Sequence, residues 1–259
     1  MTLTKRALLA STVALATAMS LGHAQAQTAL DGVMKSKLIK IAVPTDFPPY
    51  GFVGIDLKPQ GLDVDTANLI AAKLGVQVEL VPVTSANRIP YLQTKKADLV
   101  ISTLGKNPER EKVIDFTVAY SPFFQAVYGP KSMALADFNA LGGKSIAVTR
   151  GAIEDQELTK VVPANTDVKR FEDNNATVSA FVSGQTQFIA TGVSVADNMI
   201  KRNPALGAEY KLLLKDSPNF IGVAKGEDAL RTKVNEVILA AKKAGEIDAL
   251  AKKWLGRPA

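Results

Sequence analysis

Arg110 is the side chain in this sequence best equipped to bind something. It stands in Asn107-Pro108-Glu109-Arg110, where Pro108 can open a short helix. A planar guanidinium meets a carboxylate through two parallel, charge-assisted hydrogen bonds. Thr103 and Gly105, seven and five residues earlier, add a hydroxyl and a backbone amide that can reach the same kind of anion. Plainer readings stay open beside this one. Arg110 also reads as a surface arginine paired with Glu109 or Glu111, and Gly105 as a turn residue chosen for its backbone freedom. Arg88, in Ser85-Ala86-Asn87-Arg88, is a second guanidinium, or equally the solvent-facing start of a helix. Asn174 can donate its amide to an anion or cap a helix. Gly151-Ala152-Ile153 leads from a strand into a helix, and free N–H groups at a helix start complement negative charge. Phe47 lies between polar residues and prolines, an apolar group that asks for a partner.

What the chain lacks is as telling. It has no Cys, which removes disulfides, thiolate nucleophiles and thiolate metal sites. Its one His is His23, inside a segment that reads as a secretory leader over residues 1–26. That segment has Lys5 and Arg6, an apolar run from Ala7 to Ala18, and the small-x-small sequence Ala24-Gln25-Ala26. The apolar run is too short for a permanent membrane anchor. After cleavage no imidazole remains, so a Ser-His-Asp triad is excluded and no cofactor or metal site is expected. Ligand binding is then expected to be flat between pH 6 and 8, unless a carboxylate or amine is strongly perturbed. Loss of Lys5 and Arg6 takes the formal charge from +6 to +4, with no acid in the leader. The basic residues are scattered rather than interleaved with aromatics, which argues against nucleic acid.

These residues need a scaffold, and the pattern supplies one. Residues 37–43 read as a strand, 45–50 as a proline-bearing loop, 65–74 as a helix stopped by Gly75, and 76–81 as a strand. A short helix over 88–94 and a strand over 97–102 follow. A second series runs from a strand at 145–148 through a helix after Gly151, a strand at 168–171, a helix at 175–182 and a strand at 188–190. Leu230, Val234, Val237, Ile238 and Ala241 share one face of a C-terminal helix, and Ile247, Leu250, Ala251 and Trp254 share a face of another. Alternation of strand and helix implies α/β lobes with mostly parallel sheets. With 259 residues, 47% of them hydrophobic, the chain can fill one large core or two small ones. Tyr120–Tyr128 and Asn219–Ala224 are extended runs.

The order Gly61-Leu62-Asp63-Val64-Asp65, Ser85 to Pro90, Ser102 to Arg110 and Ile114-Asp115-Phe116 resembles the periplasmic polar-amino-acid binding proteins, family 3 of the bacterial solute-binding proteins. These are receptors of ABC importers. The resemblance implies a two-lobed type II periplasmic-binding-protein fold with a ligand cleft and two paired hinge crossovers. The lobes would comprise 27–122 with 222–259, and 123–221. It implies a monomer in the periplasm that closes on a small polar amino acid, glutamine- or glutamate-like, and then meets an inner-membrane permease. The implied ligand residues are Arg110 as carboxylate clamp, with Thr103, Gly105 and Ser102; Arg88, Ser85 and Asn174 around the ligand side chain; Phe47 against its stem; and Gly151 and Ile153 from the second lobe.

The chain departs from the family pattern at several places, Ala152 and Ile153 among them, where the family has hydroxyl residues. Gly105 replaces a hydroxyl residue, Asn174 a histidine, and Pro44 an arginine. Gly192 stands where the family pairs an Asp with the ligand's ammonium, which leaves Asp46 or Glu154 to supply that charge, or a ligand that has no ammonium. An enzyme on the same fold, similar to cyclohexadienyl dehydratases, would need an acid such as Glu154 or Asp173, and neither sits in a recognisable catalytic motif.

Overall fold

The computed structural model of the chain describes residues 28–259, so the expected leader lies outside them. After α1 (Ala29–Ser36), strand β1 (Leu38–Val43) sends Ile39, Ile41 and Val43 to one face of a sheet and Ala42 to the other. The proline-bearing stretch is more ordered than a plain loop. It holds β2 (Asp46–Phe47), which pairs with β3 (Gly51–Val53) and through it with β4 (Pro59–Gln60). Helix α2 (Leu62–Leu74) begins one turn earlier than the periodicity predicts. Its cap, Gly61, has φ 132°, and a Cβ there would lie 2.2 Å from the Tyr50 carbonyl oxygen, so only glycine fits.

The first sheet continues with β5 (Gln77–Pro82), and α3 (Arg88–Gln93) leads to β6 (Leu99–Gly105). Helix α4 (Pro108–Glu111) and strand β7 (Ile114–Phe116) follow. The chain then crosses into a second sheet of β8 (Phe124–Pro130), β9 (Ser145–Thr149), β10 (Asp167–Phe171), β11 (Phe188–Gly192) and β12 (Ala208–Asp216). Helices α5 (Ile153–Val161), α6 (Asn174–Val182) and α7 (Val193–Arg202) cover it. The chain returns as β13 (Asn219–Ala224) and ends in α8 (Asp228–Lys243) and α9 (Glu246–Leu255).

The first sheet has the order β5-β1-β6-β13-β7 and the second β10-β9-β11-β8-β12. In each, the three strands of βαβ origin are parallel, and the strands that follow a crossing run antiparallel. Each sheet is packed on both faces. In the first lobe α2 and α8 bury Ile41, Ile70, Leu230 and Val234 on one side, while Leu92 of α3 packs on the other. This is a two-lobed α/β fold of the type II periplasmic-binding-protein class. The two crossings pair with each other: Tyr120 N donates to Asn219 O at 3.0 Å, and Asn219 N to Ser121 O at 2.9 Å. Tyr120 itself belongs to the first core, and the segment expected to cross as one extended run becomes β8 only from Phe124.

Strand β12 is invisible to periodicity. It is an edge strand whose Glu209, Lys211 and Lys215 blur the alternation, as charges on an exposed edge do. Trp254 packs edge-on against Phe52, with centroids 5.9 Å apart, and donates its indole N–H to Asp65 at 2.7 Å. Leu230 is fully buried between α8 and the first sheet. Leu230→Ala is expected to cost roughly 2–5 kcal/mol of stability, read by chemical denaturation.

Candidate ligand-binding site

The carboxyl ends of the parallel strands of both sheets face each other, the place where open α/β sheets gather their ligands. From the first lobe come the loop after β1, the start of α3 and the end of β6. From the second come the end of β9, the start of α5, the start of α6 and the end of β11. The enclosed cavity is lined by Phe47, Ser85, Arg88, Ser102 and Thr103 on one side. Thr149, Glu154, Asn174 and Thr191 line the other. The lobes meet so closely that the space measures only about 10 Å³ to the centre of a water molecule.

Arg88 is the cation of this cavity. It is 3% exposed. Its Nε donates to Ser85 O at 3.0 Å, Nη1 to Ser102 O at 2.7 Å and Thr103 O at 3.2 Å, and Nη2 across the cleft to Gly151 O at 3.3 Å. The end of β6 is bent to meet it. Thr103 has φ 41°, a left-handed conformation that a β-branched residue adopts only when its surroundings force it. Part of that force comes from Asp63, whose Oδ2 accepts the Thr103 N–H at 2.9 Å, while Oδ1 accepts the Tyr120 hydroxyl at 2.6 Å.

Arg110 is also buried. Its Nη1 donates to Gly105 O at 2.6 Å and its Nη2 to Gly151 O at 3.0 Å. It lines an adjoining pocket that it shares with Arg88, Ser85 and Gly151, rather than the cavity described above. The Gly151 carbonyl therefore sits between two guanidiniums. Gly151 must be glycine here, with φ 73° and a would-be Cβ 3.0 Å from Ala86 Cα. Gly105 is closely packed. A Cβ would come within 3.2 Å of Ile153 Cγ1 and 3.1 Å of Ser217 Oγ, so a hydroxyl residue fits there only if Ile153 gives way.

Asp46 and Asn174 clasp each other across the cleft. Asp46 accepts from Asn174 N at 2.7 Å and from Asn174 Nδ2 at 3.0 Å, and Asn174 Oδ1 accepts from Thr149 Oγ1 at 2.8 Å. Asp173, not Asn174, caps α6, through the N–H of Ala176. Both oxygens of Asp46 are thus engaged within the protein. Glu154, 5% exposed at the second position of α5, instead borders the cavity. Gly192 is covered by an aromatic. A Cβ on Gly192 would lie 2.6 Å from the Phe123 ring, which packs edge-on against Tyr50 at 5.2 Å and near Phe47 at 6.4 Å.

Residues 39–257 match the bacterial extracellular solute-binding proteins, family 3. The chain belongs to that family. It is similar to the ABC transporter glutamine-binding protein GlnH of Bacillus subtilis, 29% identical over 76% of this chain and 72% of the relative. An ancestral arginine-binding protein bound to glutamine superposes with a TM-score of 0.80 at 32% identity, covering 85% of this chain and 99% of that one. The ancestral amino acid-binding protein AncCDT-1, a precursor of cyclohexadienyl dehydratase, gives 0.80 at 30% identity, covering 87% and 98%. Among the described residues, no helix of this solute-binding protein is long and apolar enough to cross a membrane.

Of the residues singled out in the sequence, Phe47, Ser85, Arg88, Ser102, Thr103 and Asn174 border the cavity itself. Asp46, Gly105, Arg110, Gly151 and Ile153 stand behind or beside it. Asp63, Tyr120, Phe123 and Thr149 were not anticipated. Asp63 did carry a signal: an acid at the second position of a helix, between Leu62 and Val64, with no base beside it.

Burial dominates the site's electrostatics. It depresses the pKa of Arg88, and it takes Arg110 down to about 9, with the Arg88 charge as the next cause. It raises Glu154 against the pull of Arg88 and Arg110. It raises Asp63 from 3.8 to about 7 even though Tyr120 and the Thr103 amide favour the anion. The window between pH 6 and 8, expected to be silent, therefore contains a titrating carboxyl. An acid whose folded pKa is raised holds a proton that the unfolded chain has already lost. Its contribution to stability is present below about pH 4 and is lost as pH rises through about 7. Calorimetric melting is expected to show the midpoint falling between pH 5 and 8, with a shallower fall in Asp63→Asn. A variant with an unchanged slope overturns this assignment.

Proposed function

We propose that this solute-binding protein is the receptor of an ABC importer that captures a small polar amino acid, glutamine- or glutamate-like, by lobe closure in the periplasm. One observation carries the reading. Arg88 is a buried guanidinium bordering the inter-lobe cavity, and among the described residues its hydrogen bonds go to backbone carbonyls. A buried cation of this kind is strongly relieved by an anion with matching geometry. A carboxylate solute docks on Arg88 with Ser85, Ser102 and Thr103, and Arg110 turns to it when the lobes part and Gly151 withdraws. The second lobe then closes with Asn174 and Glu154. Differential affinity for the closed state drives the change, and the closed form is what the permease meets.

Glu154 takes the role of the missing acid. It borders the same cavity as Arg88 from the opposite lobe, whereas Asp46 is already held by Asn174. A carboxylate at Arg88 and an ammonium at Glu154 span the cleft, so a zwitterion ties the two lobes together. The likeness to a glutamine-binding relative and to a glutamine-bound ancestral structure supports this ligand class. A second reading, a carboxylate without an ammonium, draws on the Phe123 ring that covers Gly192. In either case the solute is released unchanged, so recovery of a converted product from the protein would point to an enzyme instead.

Titration calorimetry on the leader-free protein decides among these. Glutamine or glutamate is expected to bind, and the matching keto acids to bind at least tenfold more weakly, about 1.4 kcal/mol. Arg88→Ala is expected to lose about 2–5 kcal/mol of binding free energy, with Arg110→Ala comparable, and both variants should stay folded. Glu154→Gln is expected to weaken amino acids and spare keto acids. Keto acids that bind tighter than amino acids would remove the ammonium from the picture. Small-angle scattering is expected to show a smaller radius of gyration on saturation, and an unchanged profile would sink lobe closure.

A further inference from the structure

The Ser102–Thr103 peptide is held from both ends. Its carbonyl accepts from Arg88 Nη1 at 2.7 Å, and its N–H donates to Asp63 Oδ2 at 2.9 Å. One peptide unit thus stands between a buried cation and a buried carboxyl. Behind Asp63, Tyr120 donates its hydroxyl at 2.6 Å, and the Tyr120 backbone N–H is tied to Asn219 of β13 at 3.0 Å. The line runs from the hinge crossing through Tyr120, Asp63 and the bent end of β6 to the guanidinium, and from there to Gly151 of the second lobe. Every side chain on it is buried.

We propose that Asp63, backed by Tyr120, is the positioning residue for Arg88, and that a carboxylate docking on Arg88 is bound together with a proton taken up at Asp63. The inference deepens the functional reading above and rests on it for the place where the carboxylate sits. The physical argument has two parts. Asp63 polarises the peptide, which strengthens its carbonyl as an acceptor and pins Thr103 at φ 41°. With that pin removed, Thr103 can relax, and Arg88 loses two carbonyls together. Secondly, Arg88 is the cation whose field favours ionised Asp63. A ligand carboxylate shares that cation and adds a like charge nearby, so both effects favour the protonated form. By reciprocity, protonation of Asp63 favours the ligand.

The charged and titratable groups facing Asp63 are few. Tyr120 comes from the crossing, Arg88 from α3 and Tyr50 from the loop after β2, and burial raises both tyrosines, so neither titrates near neutrality. Glu154 faces Arg88 from α5 and would respond with the opposite sign, because an ammonium docking on it favours loss of a proton. Asp46 also lies in the Arg88 field, held by Asn174.

The test has a ligand-free arm and a ligand arm. Nitrogen-15 NMR of the arginine side chains of the leader-free protein, with Arg88→Lys to assign the signals, is expected to show protected Arg88 guanidinium protons. In Asp63→Asn they should exchange about tenfold faster or more, while those of Arg170, paired with Asp155 at 2.7 Å, stay unchanged. Unaltered Arg88 protection overturns the positioning role. In the second arm, L-glutamine is titrated at pH 7.5 in buffers of different protonation enthalpy. Each variant is titrated to saturation. Glu154→Gln, in which the opposing response is removed, is expected to take up a proton fraction at least as large as wild type, and Asp63→Asn to lose the uptake. Zero uptake in Glu154→Gln, or equal uptake in Asp63→Asn, overturns the proton coupling. If Asp63→Asn does not fold, Tyr120→Phe serves instead. Loss of its hydroxyl donor should shift the uptake profile to higher pH, and an unshifted profile sinks the proposal. If L-glutamine does not bind wild type, the amino-acid reading fails, and the NMR arm judges Asp63 by itself.

Discussion

Two guanidinium groups lie buried at the meeting of two lobes, and among the described residues no carboxylate approaches either of them within 4.0 Å. Removing such charges from water is costly unless every donor finds an oxygen. Much of the local architecture follows from that constraint. The end of β6 bends so that the carbonyls of Ser102 and Thr103 turn toward Arg88, and that of Gly105 toward Arg110. The second lobe contributes the Gly151 carbonyl, which both guanidiniums share. The opposite lobe thus contributes to the solvation of both buried charges.

Two glycines stand at this meeting point. A Cβ on Gly151, at φ 73°, would lie 3.0 Å from Ala86 Cα, and one on Gly105 would crowd Ile153 and Ser217. In the family pattern the place of Gly105 carries a hydroxyl. Here Gly105 allows close contact with Ile153 of the second lobe and with Ser217. A comparable contact occurs at Gly192, where the ring of Phe123 fills the space of a side chain and joins Phe47 and Tyr50 in an aromatic cluster beside the crossings. From the second lobe, the carboxyl that borders the cavity is Glu154, in the first turn of α5.

The sequence by itself determined the α/β class, the two series of strands and helices, and the C-terminal helices, because these depend on local periodicity and on glycine and proline punctuation. It also limited the chemistry, since the chain has no Cys and, among the described residues, no His to supply a thiolate or an imidazole. It brought Arg88, Ser85, Thr103 and Asn174 into view as polar groups near strand ends, and the structure gathers all four around one cavity. It could not show β12, whose alternation is masked by edge charges, nor the early start of α2, which depends on Gly61 fitting beneath the Tyr50 carbonyl. Only the tertiary structure decided that Arg88 rather than Arg110 borders the cavity, because both arginines obey the same local rules and differ only in which carbonyls the folded backbone presents to them. It alone decided that Asp63 lies one peptide away from Arg88, although the two are far apart in sequence. A carboxyl's pKa is set by burial and by neighbours through space, and neither can be read along the chain.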